Sequence, residues 1–339
     1  MKSSRTSSTR KVNKALVWAV LGGLTALAAM LSLCLGAVPV SLGDTLGALL
    51  GRGEGPQAQI ILYARLPRTC GCLLAGMALA VSGTVIQAVL SNPMAAPNII
   101  GVNAGAGLAV ALLGAIVPTA AGFIPLAAFL GALAGVMLVL FIAERTGASK
   151  LTLILAGMAV SSIFSAGIDA VVTFVPDALL GYSDFRIGSL TGLTMAKLAP
   201  AFWVILPALV LVLSLAGELD VLMLGRDVSQ SLGLRVKPMR LLLLALAAAL
   251  AGAAVSFCGL LGFVGLIVPH IMRRLLGEES RTLILGSALG GAAMLTACDL
   301  LGRVLFAPYE LPVGIVLSFV GGPFFIFLLL KQRGGRIHD

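Results

Sequence analysis

Apolar runs of about 20 residues recur along the whole chain, with short polar breaks between them. They lie at about 15–36, 62–85, 94–113, 118–143, 150–172, 197–216, 238–258, 264–276, 281–303 and 312–331. A helix of about 20 residues crosses about 30 Å of hydrocarbon, so the pattern predicts ten membrane-crossing helices. The 264–276 run is too short to cross alone. It needs help from the irregular stretch Phe257–Gly262, or partial burial inside the protein. Membrane β-strands would alternate apolar and polar residues over about 10 positions. These runs are unbroken and rich in Ala, Leu and Gly, which leaves helices as the way to satisfy the backbone in lipid.

The stretch from Arg65 to Gly107 organises the pattern. Arg65-Leu66-Pro67-Arg68 opens a membrane-length segment, and Ser91-Asn92-Pro93-Met94-Ala95-Ala96-Pro97-Asn98 closes it. Another apolar run follows at once, so the stretch reads as a helical hairpin in lipid.

Composition supports the same class. The 339 residues are 59% hydrophobic and only 11% charged, against roughly 25% charged in globular proteins. The net charge of +9 comes from basic residues at the ends of apolar runs, so it is not a nucleic-acid signal. With ten crossings, seventeen Lys and Arg fall on the side of the termini and six on the other. That asymmetry predicts cytoplasmic termini in a bacterial or archaeal inner membrane. Residues 1–14 read as a basic cytoplasmic tail, 15–332 as one transmembrane domain and 333–339 as a second tail.

Much chemistry is missing. The chain has no GxxxxGK[ST] and no GxGxxG, so it holds no P-loop of its own. Its histidines are His270 and His338, and no acid or histidine set has metal-ligand spacing. His270, beside Arg273 and Arg274, reads as structural. The cysteines Cys34, Cys70, Cys72, Cys258 and Cys298 lie in apolar runs and read as small packing residues. Asp169 and Asp299 are the intramembrane acids. Both lie near outer helix ends, where hydration, capping or an Arg303 partner would suit them. A proton- or sodium-coupled carrier would show a denser set near the midplane. Energy supplied by another subunit fits better.

Two places carry candidate contacts. Arg65, Arg68 and Arg303 stand at outer helix ends, against the usual charge bias. They are either snorkelling anchors or a docking face for acidic side chains, since Arg grips carboxylates with two nitrogens. The polar segment 218–238 is predicted to carry a small helix at the membrane surface around Leu224, Gly225, Arg226, Asp227, Ser229, Leu232 and Gly233. It reads as a solvated loop or as a contact for a cytoplasmic partner.

In four places, in order, the chain resembles the permease subunits of type II ABC importers, the group that takes up ferric siderophores, haem and vitamin B12. The first is Arg65-Leu66-Pro67-Arg68 with Leu74 to Gly83 and Gln87. The second is Asn92-Pro93-Met94-Ala95-Ala96-Pro97 with Gly101, Gly105 and Ala106. The third is Leu224-Gly225 with Leu232-Gly233. The fourth is Gly262 to Arg273, followed by Asp299-Leu300-Leu301-Gly302-Arg303 and Glu310-Leu311-Pro312-Val313-Gly314. The resemblance covers nearly everything after Lys14. It departs at Met94 and Ala96, where the family usually has Leu and an acid, and at Arg226 and Ser229, where it usually has an acid and Ala.

The resemblance implies an all-α polytopic fold of about ten transmembrane helices with short cytoplasmic coupling helices. It implies a second permease subunit, either an identical copy or a paralogue, two cytoplasmic ATPase subunits and an external substrate-binding protein. Arg65, Arg68 and Arg303 would meet glutamates of that binding protein, and the Leu224–Gly233 segment would seat on the ATPase. The fifth and tenth spans would line the pathway, and Ala148, Ser149, Lys150, Leu151 and Thr152 would form an inner gate. The chain is expected to be a transport subunit and no enzyme, to bind no metal and to hold no cofactor, ATP and Mg belonging to the partner ATPase. A stand-alone secondary transporter or channel is the alternative reading, and a receptor without transport is a third.

Overall fold

A computed structural model describes residues 14–36, 38–53, 55–146 and 150–333. The two predicted tails fall almost wholly outside these residues. The described chain is helical throughout. The elements in order are α1 (Lys14–Cys34), α2 (Leu42–Leu49), α3 (Pro56–Leu90), α4 (Val102–Ile116), α5 (Ala121–Arg145), α6 (Lys150–Phe174) and α7 (Ala178–Ile187). They continue with α8 (Met195–Ser214), α9 (Ala216–Met223), α10 (Arg226–Ser231), α11 (Val236–Cys258), α12 (Val264–Leu276), α13 (Ser280–Val304) and α14 (Val313–Arg333). Each of the ten predicted spans overlaps one helix, but 94–113 begins too early, because Met94 to Ile100 form the break and a short 3-10 turn and α4 starts only at Val102. Seven of them, α1, α3, α5, α6, α8, α11 and α13, are long and apolar enough to cross a membrane by length and composition. α4 and α14 are shorter apolar helices.

α3 is the axis of the bundle. Of its apolar window 89% is buried, against 17% for α1 and 28% for α6 and α8. It packs most extensively on α13 and α11, and then on α12. The outer helices turn Leu24, Leu27, Leu130, Phe141, Trp203 and Val210 outward, as a surface facing hydrocarbon should.

Lipid gives little drive for apolar helices to associate, so close contact and interhelical hydrogen bonds must hold them. Both are present along α3. A Cβ built on Gly76 would overlap the Gly291 carbonyl of α13, and one on Gly83 would overlap the Gly265 carbonyl of α12. At each crossing the backbones touch because neither residue carries a side chain. Between them, Ser82 Oγ donates to the Ala247 carbonyl of α11 at 2.7 Å, and the Thr84 and Ser287 hydroxyls meet at 3.0 Å. Gln87 Nε2 donates to the Gly265 carbonyl at 3.1 Å, and its Oε1 accepts from Arg273 at 3.2 and 3.3 Å.

The 264–276 segment survives its shortness by burial. Val264 to Pro269, Met272 and Leu276 are all buried inside the protein. The irregular turn before it is pinned by Leu260 N–H, which donates to the Phe185 carbonyl of α7 at 2.9 Å. The break after α3 is likewise built in. Asn92 Oδ1 accepts from Met94 N at 2.9 Å, and Ala95, Ala96 and Pro97 are buried.

Gly83→Val should lower the thermal unfolding midpoint of the detergent-solubilised protein, with a cost of about 1–3 kcal/mol or more from overpacking. Gly23, whose Cβ would meet nothing within 4 Å, supplies the control in Gly23→Val. Equal effects of the two substitutions, read by size-exclusion fluorescence after heating, would overturn the close-approach argument.

Candidate docking and coupling sites

The structure brings Arg65, Arg68 and Arg303 together at one end of the bundle. It also turns them inward, leaving them 6%, 8% and 3% exposed. On sequence they read as snorkelling anchors or as a docking face for acidic side chains. The inward turn has a physical cause: α1 ends at this level, and the last carbonyls of a helix have no partner within it. Arg65 Nη1 donates to the carbonyls of Leu33 and Cys34, both at 2.8 Å, and its Nη2 to the carbonyl of Val38. Arg303 Nη1 donates to the Ser32 carbonyl at 3.2 Å, and its Nη2 to Ser32 Oγ at 2.6 Å. Ser32 in turn shares a hydrogen bond of 2.8 Å with Thr69 of α3. Positive charge at a helix C-terminus also suits the helix dipole.

Two carboxylates partly balance the three guanidiniums. Asp299 of α13 is 1% exposed and lies between two guanidiniums. Arg68 Nε reaches its two oxygens at 3.0 and 3.1 Å, and Arg68 Nη2 lies 3.0 Å from Oδ1. Arg303 Nε lies 3.1 Å from Oδ2, one helical turn along α13, without its N–H aimed at that oxygen. Arg68 Nη1 extends outward to Glu310 Oε2 at 2.7 Å. Glu310 sits in the segment between α13 and α14, with its side chain 35% exposed. The cluster therefore ties α1, α3, α13 and that segment, and Glu310 is its outermost charge. Sequence reading anticipated the Arg303 partner of Asp299 but assigned no role to Glu310. The available signal was an acid following closely on a span that ends in Asp299 and Arg303.

The predicted surface helix is α10, at the opposite end of the bundle. Gly225 at φ +97° and Gly233 at φ +85° bound it, in a conformation that favours glycine. Ser229 is fully buried and donates to the carbonyls of Val221 at 2.7 Å and Gly225 at 2.6 Å, fastening α10 onto α9. Ser229 thus does more than fill the space of an alanine. Arg226 and Asp227 are exposed. Leu224, Val228 and Leu232 recur every four residues and are 59%, 47% and 62% exposed. They make an apolar stripe on a polar segment. Sequence reading named Leu224 and Leu232 but missed Val228.

Of the expected inner gate, Ala148 and Ser149 lie outside the described residues. Lys150 opens α6 and its Nζ bonds to Ser91 Oγ, at the break after α3. Leu151 is exposed and Thr152 half-buried. His270 lies edge-on to Phe324 of α14, with ring centres 6.2 Å apart.

Comparison with known proteins accords with this architecture. The chain is 40% identical to the hemin transport system permease protein HmuU of Yersinia pestis over 285 residues, covering 82% of this chain and 85% of that one. It is 37% identical to the achromobactin transport system permease protein CbrC of Dickeya dadantii, covering 96% and 94%. A solved chain described as an inward-facing metal-chelate type ABC transporter superposes with a TM-score of 0.83 at 28% identity, over 94% of this chain and 99% of that one. Residues 24–331 match the FecCD transport family. From α1 to α14, the chain belongs to that family.

Proposed function

We propose that this chain is the membrane-spanning permease of an ATP-binding-cassette importer that moves a metal chelate inward across the inner membrane. The observation that carries the reading is the FecCD match across residues 24–331, nearly every described helix. Relatives named for hemin and achromobactin transport support a chelate as cargo, and the ferric dicitrate permease FecD of Escherichia coli, 36% identical, supports it further. Haem and ferric siderophores fit this class, and cobalamin is a further candidate. The chain performs no bond chemistry. A separate ATPase pair hydrolyses ATP, a binding protein delivers cargo, and a second permease subunit completes the pathway. Both termini face the cytoplasm in this reading, which puts α10 on the ATPase side and the arginine cluster outside.

The stripe Leu224, Val228 and Leu232 is the ATPase seat. A short helix fixed by Ser229 to α9 passes the movement of the ATPase to the bundle as a rigid body. At the other end, Arg68 and Glu310 form the docking point. Arg65 and Arg303 are committed to the end of α1, so a partner glutamate meets Arg68 only by displacing Glu310. Electrostatic docking of this kind sets encounter rate and register more than affinity.

Uptake of a chelate into proteoliposomes holding the permease, the ATPase and the binding protein should require ATP. Accumulation that persists without ATP would establish a secondary carrier instead. Val228→Asp combined with Leu232→Asp should weaken ATPase association about tenfold or more, since ~1.4 kcal/mol is a factor of ten. Pull-down of the ATPase from detergent measures this, and unchanged binding would remove α10 as the seat. Glu310→Gln removes the ion pair at Nη1 of Arg68 and should tighten binding-protein docking at low salt several-fold, within the ~1 kcal/mol range of an exposed pair. Asp299→Asn instead strands two buried guanidiniums and should cost about 3–5 kcal/mol of stability. Surface plasmon resonance showing weaker docking for Glu310→Gln would mean that Glu310 is itself a contact.

A further inference from the structure

A cavity of about 590 Å³ opens between α12 and α14, at the end of the bundle that carries α10. Neither the arginine cluster nor the α10 stripe uses it. One wall holds His270, Arg273 and Arg274, and the other Phe324, Phe327 and Leu328. Arg273 spends its guanidinium on the neutral amide oxygen of Gln87 and keeps its full charge. Arg274 has no ion pair or hydrogen bond among the described residues. Glu278 is the one carboxylate in the lining, so the two arginines leave the cavity positive. Its mouth is apolar: Ile271, Leu275 and Phe327 are 37%, 38% and 59% exposed.

We infer that this cavity seats the headgroup of an anionic phospholipid, with its phosphate on Arg274 and Arg273 and an acyl chain along Phe327, Leu275 and Ile271. The chemistry requires both halves. A free phosphate would use the cations and leave the aromatic wall and its exposed apolar rim unused. A lipid tail alone would leave Arg274 unpaired beside hydrocarbon, which is costly. Basic pockets between membrane helices at the cytoplasmic side suit anionic headgroups, because that leaflet holds the negative surface potential. α12 is built for this position. Its buried residues face the bundle, and its two arginines fall in the last turn, at the level of the interface. The cavity borders the exposed face of α14 through Phe327, which is 59% exposed, while its inner wall lies on another side of the helix. At 3.6 residues per turn, Phe324 and Leu328 point roughly away from Phe319, Ile326 and Leu330.

The test uses the permease with its ATPase, reconstituted in nanodiscs of equal phosphatidylcholine and phosphatidylglycerol, then extracted and read for retained lipid by native mass spectrometry. Phosphatidylglycerol should be retained in preference to phosphatidylcholine. Arg274→Glu should cut that preference by about 25-fold, since losing one cation near an anionic headgroup is worth about fivefold and gaining an anion about as much again, while Arg281→Glu on neighbouring α13 should not. Arg274→Gln serves the same purpose if the charge reversal does not fold. Phe327→Ala should lower retention of both lipids. Equal retention of the two lipids by the unaltered protein would overturn the proposal. So would full displacement of lipid by millimolar inorganic phosphate, which would make the site an anion site. Crosslinking of Phe327→Cys to the ATPase or to a second copy, with no lipid retained, would make it a protein contact and overturn it too. The nanodisc exposes both leaflets alike, so the result does not depend on which way the chain faces.

Discussion

In hydrocarbon, every buried polar group must find its partner within the protein. That constraint is most severe where α1 ends. Its last carbonyls, at Ser32, Leu33 and Cys34, lie among packed helices and receive their hydrogen bonds from Arg65 and Arg303. Asp299 supplies a buried counter-charge to Arg303, while Arg65 is held, among the described residues, by backbone carbonyls alone. Asp299 in turn fixes Arg68, and Arg68 fixes Glu310. One need, a helix end without water, thus recruits residues from α1, α3, α13 and the segment before α14.

The same constraint explains why α3 is so polar for a buried helix. Ser82, Thr84 and Gln87 would be costly if unpaired, yet each meets a partner on a different neighbouring helix. The glycines at 76 and 83 bring α13 and α12 close enough for Thr84 and Gln87 to reach across. Close approach and hydrogen bonding are therefore one device here. Enlarging a glycine would separate the donors from their acceptors as well as create a clash.

The spans were legible because apolar length is set by the bilayer and does not depend on partners. Even the short 264–276 segment carried its own warning, and burial of Val264 to Pro269 answers it. The helices α2 and α7 were not legible. At 8 and 10 residues they are too short to show against the longer apolar runs around them. The inward turn of the arginines was hidden for a different reason. Arg68 and Asp299 lie 231 positions apart, and nothing local at Arg68 reveals a carboxylate waiting on another helix. Val228 was missed because one apolar residue in a polar segment gains meaning only once α10 is fixed and Leu224 and Leu232 are seen exposed beside it.

The two ends of the molecule solve opposite problems. At the arginine end, charge is buried and most donors are already committed, so under the proposed docking a partner carboxylate takes the place of Glu310 at Arg68. Exchange leaves the number of ion pairs unchanged, which favours reversible contact with little net affinity. At the α10 end, apolar side chains are exposed on a helix fastened to α9 by Ser229. Covering them removes apolar surface from water without breaking any existing bond, which favours a lasting contact. A permease that keeps its motor and changes its cargo carrier would need that asymmetry, and here it follows from which groups each end leaves unsatisfied.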